Sequence, residues 1–228
     1  MLTTPALISE WSCKDLSLLH GLRAGVRSLE DWWFDTTRGV ETAGSAKTPA
    51  DSSVVGDTRD SYGYLPARAA NMRDALRRLP ITNLAGYTFI DIGSGKGRML
   101  FVAAELPFAR VVGVEFDEHL HAAAVRNVAA CRFRRRCMII EPVLANAAEY
   151  EFPPGPLVVY LFNPFGPEIM NRMLDNLERS FTRDPRHIVL LMLWPEHADV
   201  VAQRSWLHQT ERTRRHCIFE AGRETPGA

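Results

Sequence analysis

The sequence predicts a doubly wound, mostly parallel α/β sheet, and three observations support that fold class. From about residue 85 onward, short β-branched and aromatic runs alternate with segments of helical periodicity. The apolar runs lack a polar face, as expected for strands that are buried on both sides of a parallel sheet. The first run ends at a glycine-rich stretch over residues 93–97, which is typical of a strand-to-helix turn. In such sheets, ligands bind at the carboxyl ends of the strands.

The elements are predicted in chain order from the same patterns. Residues 1–43 have helical apolar spacing, and residues 44–63 are rich in Gly, Ser, Asp and Thr, as loops are. A helix is predicted from Pro66 to Leu79, because proline suits a first helical turn. Strands are predicted over residues 87–93, 110–117, 137–143, 156–163 and 187–194, with a terminal hairpin over residues 206–221. Helices are predicted over residues 97–106, 118–130 and 167–182.

Composition excludes several classes of protein. The chain has 228 residues, with 27 basic and 27 acidic side chains, so its formal net charge is zero. This balance argues against a nucleic-acid partner, and the basic clusters at residues 132–136 and 212–215 are interpreted as solvated loops, with an anionic partner as the alternative. No apolar run is long enough to span a membrane, and no secretory leader precedes the first helix, so we expect a cytoplasmic protein without a membrane partner.

The cysteines and histidines do not predict a metal centre. The four cysteines show no metal-ligand spacing, and we interpret them as reduced thiols. His119 and His121 lie two residues apart on a predicted helix and therefore point to different faces. We expect no metal site.

The glycine-rich turn is the most informative segment. Its three glycines are Gly93, Gly95 and Gly97, and Asp91 precedes the first of them by two residues. The dinucleotide fingerprint GxGxxG fails, because Arg98 occupies the place of the third glycine. The phosphate loop GxxxxGK[ST] fails as well, because a glycine follows the lysine. What remains is an acid-led G-x-G-x-G turn.

This acid-led turn resembles motif I of the class I S-adenosylmethionine (SAM) methyltransferases. The resemblance implies a seven-stranded, Rossmann-like sheet with a helical N-terminal lid over residues 1–63 and a SAM-binding catalytic domain over residues 64–228. It also implies that the acid fixes the amino group of SAM while the turn packs against its methionine part. The residues implied in this contact are Asp91, Gly93, Ser94, Gly95 and Gly97.

Two later segments extend the resemblance to the nucleoside part of SAM. Glu115 ends the second predicted strand, where these enzymes place an acid on the ribose hydroxyls, and Phe116 is implied to line the adenine pocket. The segment over residues 145–153 resembles the family's G-D-A-x-x-Y/F motif, which assigns Asn146 and Ala147 to the adenine. Asn146 replaces the usual aspartate, and an ordinary loop cap is its alternative role.

The fourth predicted strand is followed by Asn163, Pro164 and Phe165. This segment resembles the N-P-P-F/Y tetrad of amino-methylating enzymes without its second proline, and also the N-x-F segment of class I histone-lysine methyltransferases. The resemblance implies that Asn163 is catalytic and cofactor-binding, since its carbonyl would orient the acceptor nitrogen, and that Phe165 stacks on the substrate. The alternative is a polar turn that only starts the next helix.

Two N-terminal motifs are similar to the opening of a large bacterial group within the same superfamily. They are F-D-x-x-x-G-V-E-T over residues 34–42 and G-Y-x-P over residues 63–66, with Leu65 where the group has Glu. The resemblance implies that the Tyr64 hydroxyl is a catalytic group near SAM. Trp33 is a candidate substrate contact, and core packing is its alternative.

We therefore expect a SAM-dependent methyltransferase that acts on a nitrogen or oxygen of a small molecule or amino-acid-type acceptor. Two alternatives remain open. The protein could cyclise SAM itself to azetidine-2-carboxylate and release methylthioadenosine, or it could bind SAM without catalysis.

Overall fold

Seven strands form one sheet in the computed structural model, which describes residues 29–45 and 63–223. The strands are β1 (Thr88–Ile92), β2 (Arg110–Glu115), β3 (Ile140–Leu144), β4 (Leu157–Leu161), β5 (Ile188–Leu193), β6 (His208–Arg212) and β7 (His216–Ala221). Their order across the sheet is β3-β2-β1-β4-β5-β7-β6. The first five run parallel to one another, and β7 runs antiparallel to both of its neighbours. The predicted fold class is confirmed.

Helices cover both faces of this sheet. They are α1 (residues 29–38), α2 (Ala69–Leu76), α3 (Arg98–Ala103), α4 (Glu118–Ala130), α5 (Pro167–Arg183) and α6 (Ala198–Ala202). Two of the predicted helices have recognisable N-terminal signals. Asp117 accepts hydrogen bonds from the His119 and Leu120 amides at the start of α4, and α5 has proline in its first turn. Helix α6 and the 3-10 helix Leu84–Gly86 were not predicted, because such short elements carry no measurable periodicity.

Strand β3 begins later than the pattern predicts. The apolar run starts at Cys137, but the Cys137 amide donates to the Ala104 carbonyl, and pairing with β2 starts only at Ile140. Pro142 lies in the middle of β3, opposite Gly113. Proline has no N–H to donate, and it is tolerated here because β3 is an edge strand.

Two apolar clusters sandwich the central strands. One face of the sheet packs against α5 and α6, and the other packs against α2, α3 and Phe34 of α1. Side chains of β1, β4 and β5 are almost entirely buried on both faces, which explains why these strands read as continuous apolar runs. Because both faces are covered, the carboxyl edge of the sheet is left to hold the site.

The predictions for residues 1–28, and most of the predicted loop over residues 44–63, lie outside the described residues. The assignment of residues 1–63 as a lid therefore stays a prediction. Within the described residues, no helix is long and apolar enough to cross a bilayer.

Candidate functional site

A cavity opens at the carboxyl edge of the sheet, where β1 lies between β2 and β4. This is the point at which successive connections leave in opposite directions, the usual ligand site of doubly wound sheets. The loops after β1, β2, β3 and β4 and the segment Gly63–Ala67 all contribute to its lining. Of the predicted site residues, the cavity brings together Tyr64, Asp91, Gly93, Ser94, Gly95, Glu115, Phe116, Asn146, Ala147 and Phe165.

Glycine is required in the turn after β1 for two reasons. Gly93 and Gly95 have φ angles of 78° and 54°, which side-chain-bearing residues rarely adopt. A Cβ on Gly93 would also lie 2.5 Å from the Cβ of Pro164, and one on Gly95 would lie 2.3 Å from the Tyr64 ring. The turn is thus closed over by two side chains that also line the cavity.

Four backbone N–H groups of this turn are already used within the protein. Gly93 and Ser94 donate to the Val114 carbonyl at 2.9 and 3.1 Å, and Gly97 donates to the Ser94 carbonyl at 2.9 Å. Gly95 donates to the Glu115 carboxylate at 2.7 Å. A phosphate-binding loop needs such amides free to point at the ligand, so this turn is not built for a phosphate.

Glu115 lies at the end of β2, as predicted, and its carboxylate organises the turn. It accepts the Gly95 amide on Oε2 and the Phe116 and Asp117 amides on Oε1, the latter two at 3.0 Å. Burial raises the pKa of Glu115 even though these backbone hydrogen bonds lower it. A carboxylate has about four acceptor positions, so three N–H bonds leave room for about one further donor.

Asp91 and three unsatisfied donors form the polar end of the cavity. Burial, and then the Glu115 carboxylate, raise the pKa of Asp91 well above its ordinary value. The Tyr160 hydroxyl, Ser94 Oγ and Arg98 Nη2 are buried and have no hydrogen-bond partner among the described residues. All of these side chains line the cavity. Arg98 Nη2 does lie 3.5 Å from Asp35 Oδ1, within ion-pair distance. Buried polar groups are nearly always satisfied in a folded protein, so these atoms indicate a polar ligand.

The segment 29–45 is bound to the glycine turn through Arg98. Its guanidinium Nε donates to Thr42 Oγ1 at 2.8 Å, and Nη1 forms an ion pair with Asp31. Asp35 accepts the Thr42 hydroxyl at 2.5 Å and the Thr42 and Ala43 amides at 2.8 Å. The predicted N-terminal motif F-D-x-x-x-G-V-E-T thus spans the end of α1 and the loop after it, and this loop is bonded to Arg98 of the site.

Tyr64 lies in the cavity wall, but its hydroxyl has a partner. It donates to the Thr42 carbonyl at 2.6 Å, and its ring packs against Gly95. Burial is the main cause that raises the pKa of Tyr64 far above its usual value, so this hydroxyl stays protonated. Its position supports a packing role for the ring more directly than a proton-transfer role for the hydroxyl.

Three predicted site residues lie outside the cavity lining. Asn163 Nδ2 donates to the Trp194 carbonyl, and its Oδ1 accepts the Glu196 amide at 3.4 Å. Gly97 lies beneath the turn, facing Leu100 and Ala124. Trp33 is 64% exposed on α1, so it is not part of the core either. Asn146 does line the cavity, and its Oδ1 accepts the Ala148 amide at 2.9 Å, as its alternative role as a loop cap implies.

Two residues of the polar end were not singled out from the sequence. Arg98 was noted only as the residue that breaks the dinucleotide pattern. Tyr160 is the one polar side chain in the apolar run of β4, and it pairs in register with Asp91 of β1. Neighbours in register on parallel strands point to the same face, so this polar interruption was the available signal.

The strand order, with antiparallel β7 between β5 and β6, defines a Rossmann-like fold of the methyltransferase type. No protein-family model and no curated protein matches the chain. Solved structures do match it. The PH0226 protein of Pyrococcus horikoshii OT3 has a TM-score of 0.50 at 12% identity, covering 69% of this chain and 90% of that chain.

Structures of named methyltransferases also match, with lower scores. The ribosomal protein L11 methylase of Lactobacillus delbrueckii subsp. bulgaricus has a TM-score of 0.45 at 15% identity, covering 68% of this chain and 78% of that chain. An RNA methyltransferase of Salinibacter ruber, solved with S-adenosylhomocysteine, has a TM-score of 0.42 at 17% identity, covering 72% and 98%. At these identities the likeness shows the fold alone.

Proposed function

We propose that the protein binds SAM in this cavity and transfers its methyl group to a nitrogen or oxygen of a small-molecule acceptor. The observation that carries the proposal is the polar end of the cavity, whose lining includes both an acid and a cation. Asp91 offers a carboxylate, and Ser94 Oγ and the Tyr160 hydroxyl offer donors without partners. Arg98 Nη2 also makes no hydrogen bond, although it lies 3.5 Å from Asp35 Oδ1. An α-amino acid carries an ammonium and a carboxylate, and this set complements both.

The glycine turn supports the same ligand. Four of its amides donate within the protein, so these N–H groups are not available to the phosphates of a dinucleotide or nucleoside triphosphate. A ligand with a sulfonium cation instead suits a cavity whose walls include the aromatic rings of Tyr64, Phe162 and Phe165. The remaining acceptor position of Glu115 suits a ribose hydroxyl, and Phe116, Asn146 and Ala147 line the adjoining wall.

Bound there, SAM would supply an activated methyl group, so the protein's task is to hold and orient rather than to activate. Asp91 and Arg98 hold the amino acid end of the ligand. Glu115 holds the glycine turn next to the part of the cavity proposed for the ribose, because its carboxylate accepts three backbone N–H groups. Transfer of this methyl group would leave S-adenosylhomocysteine, and an acceptor that carries an N–H or O–H would release that proton to water.

The first test is thermal stability with and without ligand. SAM and S-adenosylhomocysteine at about 100 times their Kd should raise the Tm by roughly 5–10 °C, because a ligand that binds only the folded state stabilises it by about 2.7 kcal/mol. Gly95→Ala should remove this shift, since the new Cβ would meet the Tyr64 ring. Gly155→Ala is the matched control, because Gly155 also has positive φ but has open space around it.

A shift with NAD or ATP in place of SAM would contradict the cofactor, and so would loss of the SAM shift in both glycine variants. The product distinguishes the reaction. Mass spectrometry of the protein incubated with SAM and candidate amines, phenols and carboxylic acids should detect S-adenosylhomocysteine and a methylated acceptor. Methylthioadenosine above its spontaneous background, formed without acceptor, would instead support cyclisation of SAM. A SAM shift without either product would support a binding protein.

A further inference from the structure

A second concave surface lies beside the cavity at the carboxyl edge of the sheet. We name it the Trp194 groove; its lining residues are Trp194, Pro195, Glu196, Arg212, Thr213 and Arg214. It lies between the loop after β5 and the turn that joins β6 to β7. That turn is at the carboxyl edge because β7 starts opposite the end of β5, with His216 paired to Leu193. The groove therefore opens on the same edge as the cavity.

Asn163 connects the groove to the cavity. Its neighbours Phe162 and Pro164 line the cavity, while its own side chain is hydrogen-bonded to Trp194 and Glu196 of the groove. Strands β4 and β5, which carry these two loops, are adjacent and therefore about 4.8 Å apart. A molecule seated in the groove thus lies next to the wall of the cavity that is lined by Phe162 and Pro164.

The backbone at this junction is strained. Asn163 and Trp194 have φ angles of 41° and 50°, and they are the only non-glycine residues with positive φ among the described residues. Asparagine tolerates this conformation, but for a residue as bulky as tryptophan it is a clear outlier. Strain of this kind persists where the surrounding structure imposes it, and it is concentrated at functional sites. Here it accompanies an indole that is 44% exposed.

The turn between β6 and β7 presents its arginines on a rigid frame. Thr213 Oγ1 accepts the Arg215 and His216 amides at 3.1 and 3.0 Å, and the Thr213 amide donates to the His216 carbonyl at 2.8 Å. The Arg215 carbonyl in turn accepts the Trp194 amide at 2.7 Å. A turn fixed in this way presents charged side chains at low entropic cost to a ligand.

The charges of the groove are not neutralised by the protein. Within the described residues, the guanidinium groups of Arg212 and Arg214 form no ion pair or hydrogen bond, and both side chains are exposed. The nearby Glu211 is bonded to Arg78 at 3.2 Å and to His216 at 2.9 Å. Glu196 is the one acid in the lining, so two cationic groups face one anionic group.

Resting on the proposed function, we infer that the Trp194 groove binds the methyl acceptor, and that this acceptor is a small anion with a planar apolar part. Arg212 and Arg214 bind its carboxylate or phosphate, since guanidinium groups pair well with both anions. The Trp194 ring packs against its planar part. The Asn163 side chain joins the loop after β4 to the loop after β5, and this acceptor site lies beside both loops.

The test measures binding of anionic and neutral aromatic probes to protein saturated with S-adenosylhomocysteine. The probes are indole-3-acetate and phenyl phosphate, with indole-3-acetamide and phenol as neutral counterparts, and ligand-observed NMR titration gives their Kd. We expect at least one anion to bind about tenfold more tightly than its neutral counterpart. Arg212→Glu with Arg214→Glu should weaken that anion at least tenfold, whereas Arg134→Glu with Arg136→Glu, in the loop before β3, should not change it.

Two further variants separate binding from folding. Trp194→Gly relieves the strain of the positive φ and removes the indole. It should therefore weaken binding of the anion several-fold without lowering the Tm. Glu196→Gln removes the opposing charge and should strengthen anion binding. Equal affinity for anions and neutral probes, or equal loss in the 134/136 control, would overturn the inference. Tighter binding of a 12-nucleotide single strand than of either anion, lost in the 212/214 variant, would also overturn it in favour of a nucleic-acid surface.

The outcome is separable from that of the proposed function. A wild-type Tm that does not respond to S-adenosylhomocysteine contradicts SAM binding. A normal response together with no anion binding at the groove contradicts only the assignment of the acceptor site.

Discussion

Asp91 is a residue whose environment opposes its ionised form in the protein alone. It is 3% exposed, it lies near the buried Glu115 carboxylate, and its pKa is raised well above its ordinary value by burial first and by Glu115 second. An ammonium group placed beside it would reverse this effect, since an opposite charge favours the ionised form. We therefore expect Asp91 to lower the stability of the ligand-free protein and to raise its affinity for a ligand that carries an ammonium group.

Asp91→Asn should make the ligand-free protein more stable at pH 7 and remove the SAM-induced Tm shift. The gain in unfolding free energy should be on the order of 1 kcal/mol, which raises the Tm by about 2–4 °C. The reason is that the substitution removes a buried carboxyl group whose ionised form lacks a full set of partners. The sign of the pH dependence follows from the raised pKa. An unfolded aspartate titrates near 3.9, so the stabilising effect of protonated Asp91 is complete below about pH 3.9 and is lost as pH rises through the higher folded pKa.

Thermal melts of wild type and Asp91→Asn across pH 4–8 test this, since their difference isolates the carboxylate from the other acids. A ligand-free variant that is less stable than wild type at every pH would contradict the account.

Substitutions of Asn163 test the proposed acceptor site, because they change one side-chain amide that is bonded to the Trp194 groove. Asn163→Ala removes the bonds to Trp194 and Glu196, so turnover should fall tenfold or more while the SAM-induced Tm shift is kept. Asn163→Asp retains the acceptor for the Glu196 amide but loses the donor to the Trp194 carbonyl. Its turnover should therefore lie between that of wild type and that of Asn163→Ala. Steady-state rates with the identified acceptor measure this; a variant that loses the SAM shift as well would place Asn163 in the cofactor site.

At the scale of elements, α1 and the loop after it behave as an extension of the glycine turn. Arg98, at the start of α3, is bonded to Thr42 and Asp31, and Lys96 donates to the Ala43 carbonyl at 2.9 Å. Asn127 of α4 bridges the Glu41 backbone and the Lys96 carbonyl. Ligand binding at Arg98 should therefore change the stability of the whole segment 29–45.

Thr42→Val is the sharpest variant for this coupling, because it keeps the shape and removes a buried hydroxyl that bonds Arg98 and Asp35. It should lower stability by about 1–3 kcal/mol and speed amide exchange over residues 29–45. SAM should slow exchange of this segment in wild type and less so in the variant. Thr182→Val, which removes an exposed hydroxyl bonded to the Glu178 carbonyl of α5, is the matched control. Unchanged exchange in Thr42→Val would show that the segment is held by packing alone.

Across the whole molecule, sequence patterns predicted what depends on local periodicity and missed what depends on distant partners. The strands and the glycine turn follow from runs and turn residues, and both were predicted within a few residues. The orientation of α1 was harder, because its inward face carries Asp31 and Asp35, which bind the buried Arg98, rather than the adjacent tryptophans. The direction of the Asn163 amide depends on the loop at Trp194, which no nearby residue specifies.

The insertion of β7 between β5 and β6 also dictates when the sheet can be completed during synthesis. Strand β5 leaves the ribosome with an open, apolar edge, and the next strand made, β6, does not cover it. Only β7, made later still, pairs with β5, and β6 then attaches to the outside of β7. Until β7 pairs with it, the β5 edge has unpaired backbone N–H and C=O groups, and an edge of this kind can pair with other chains.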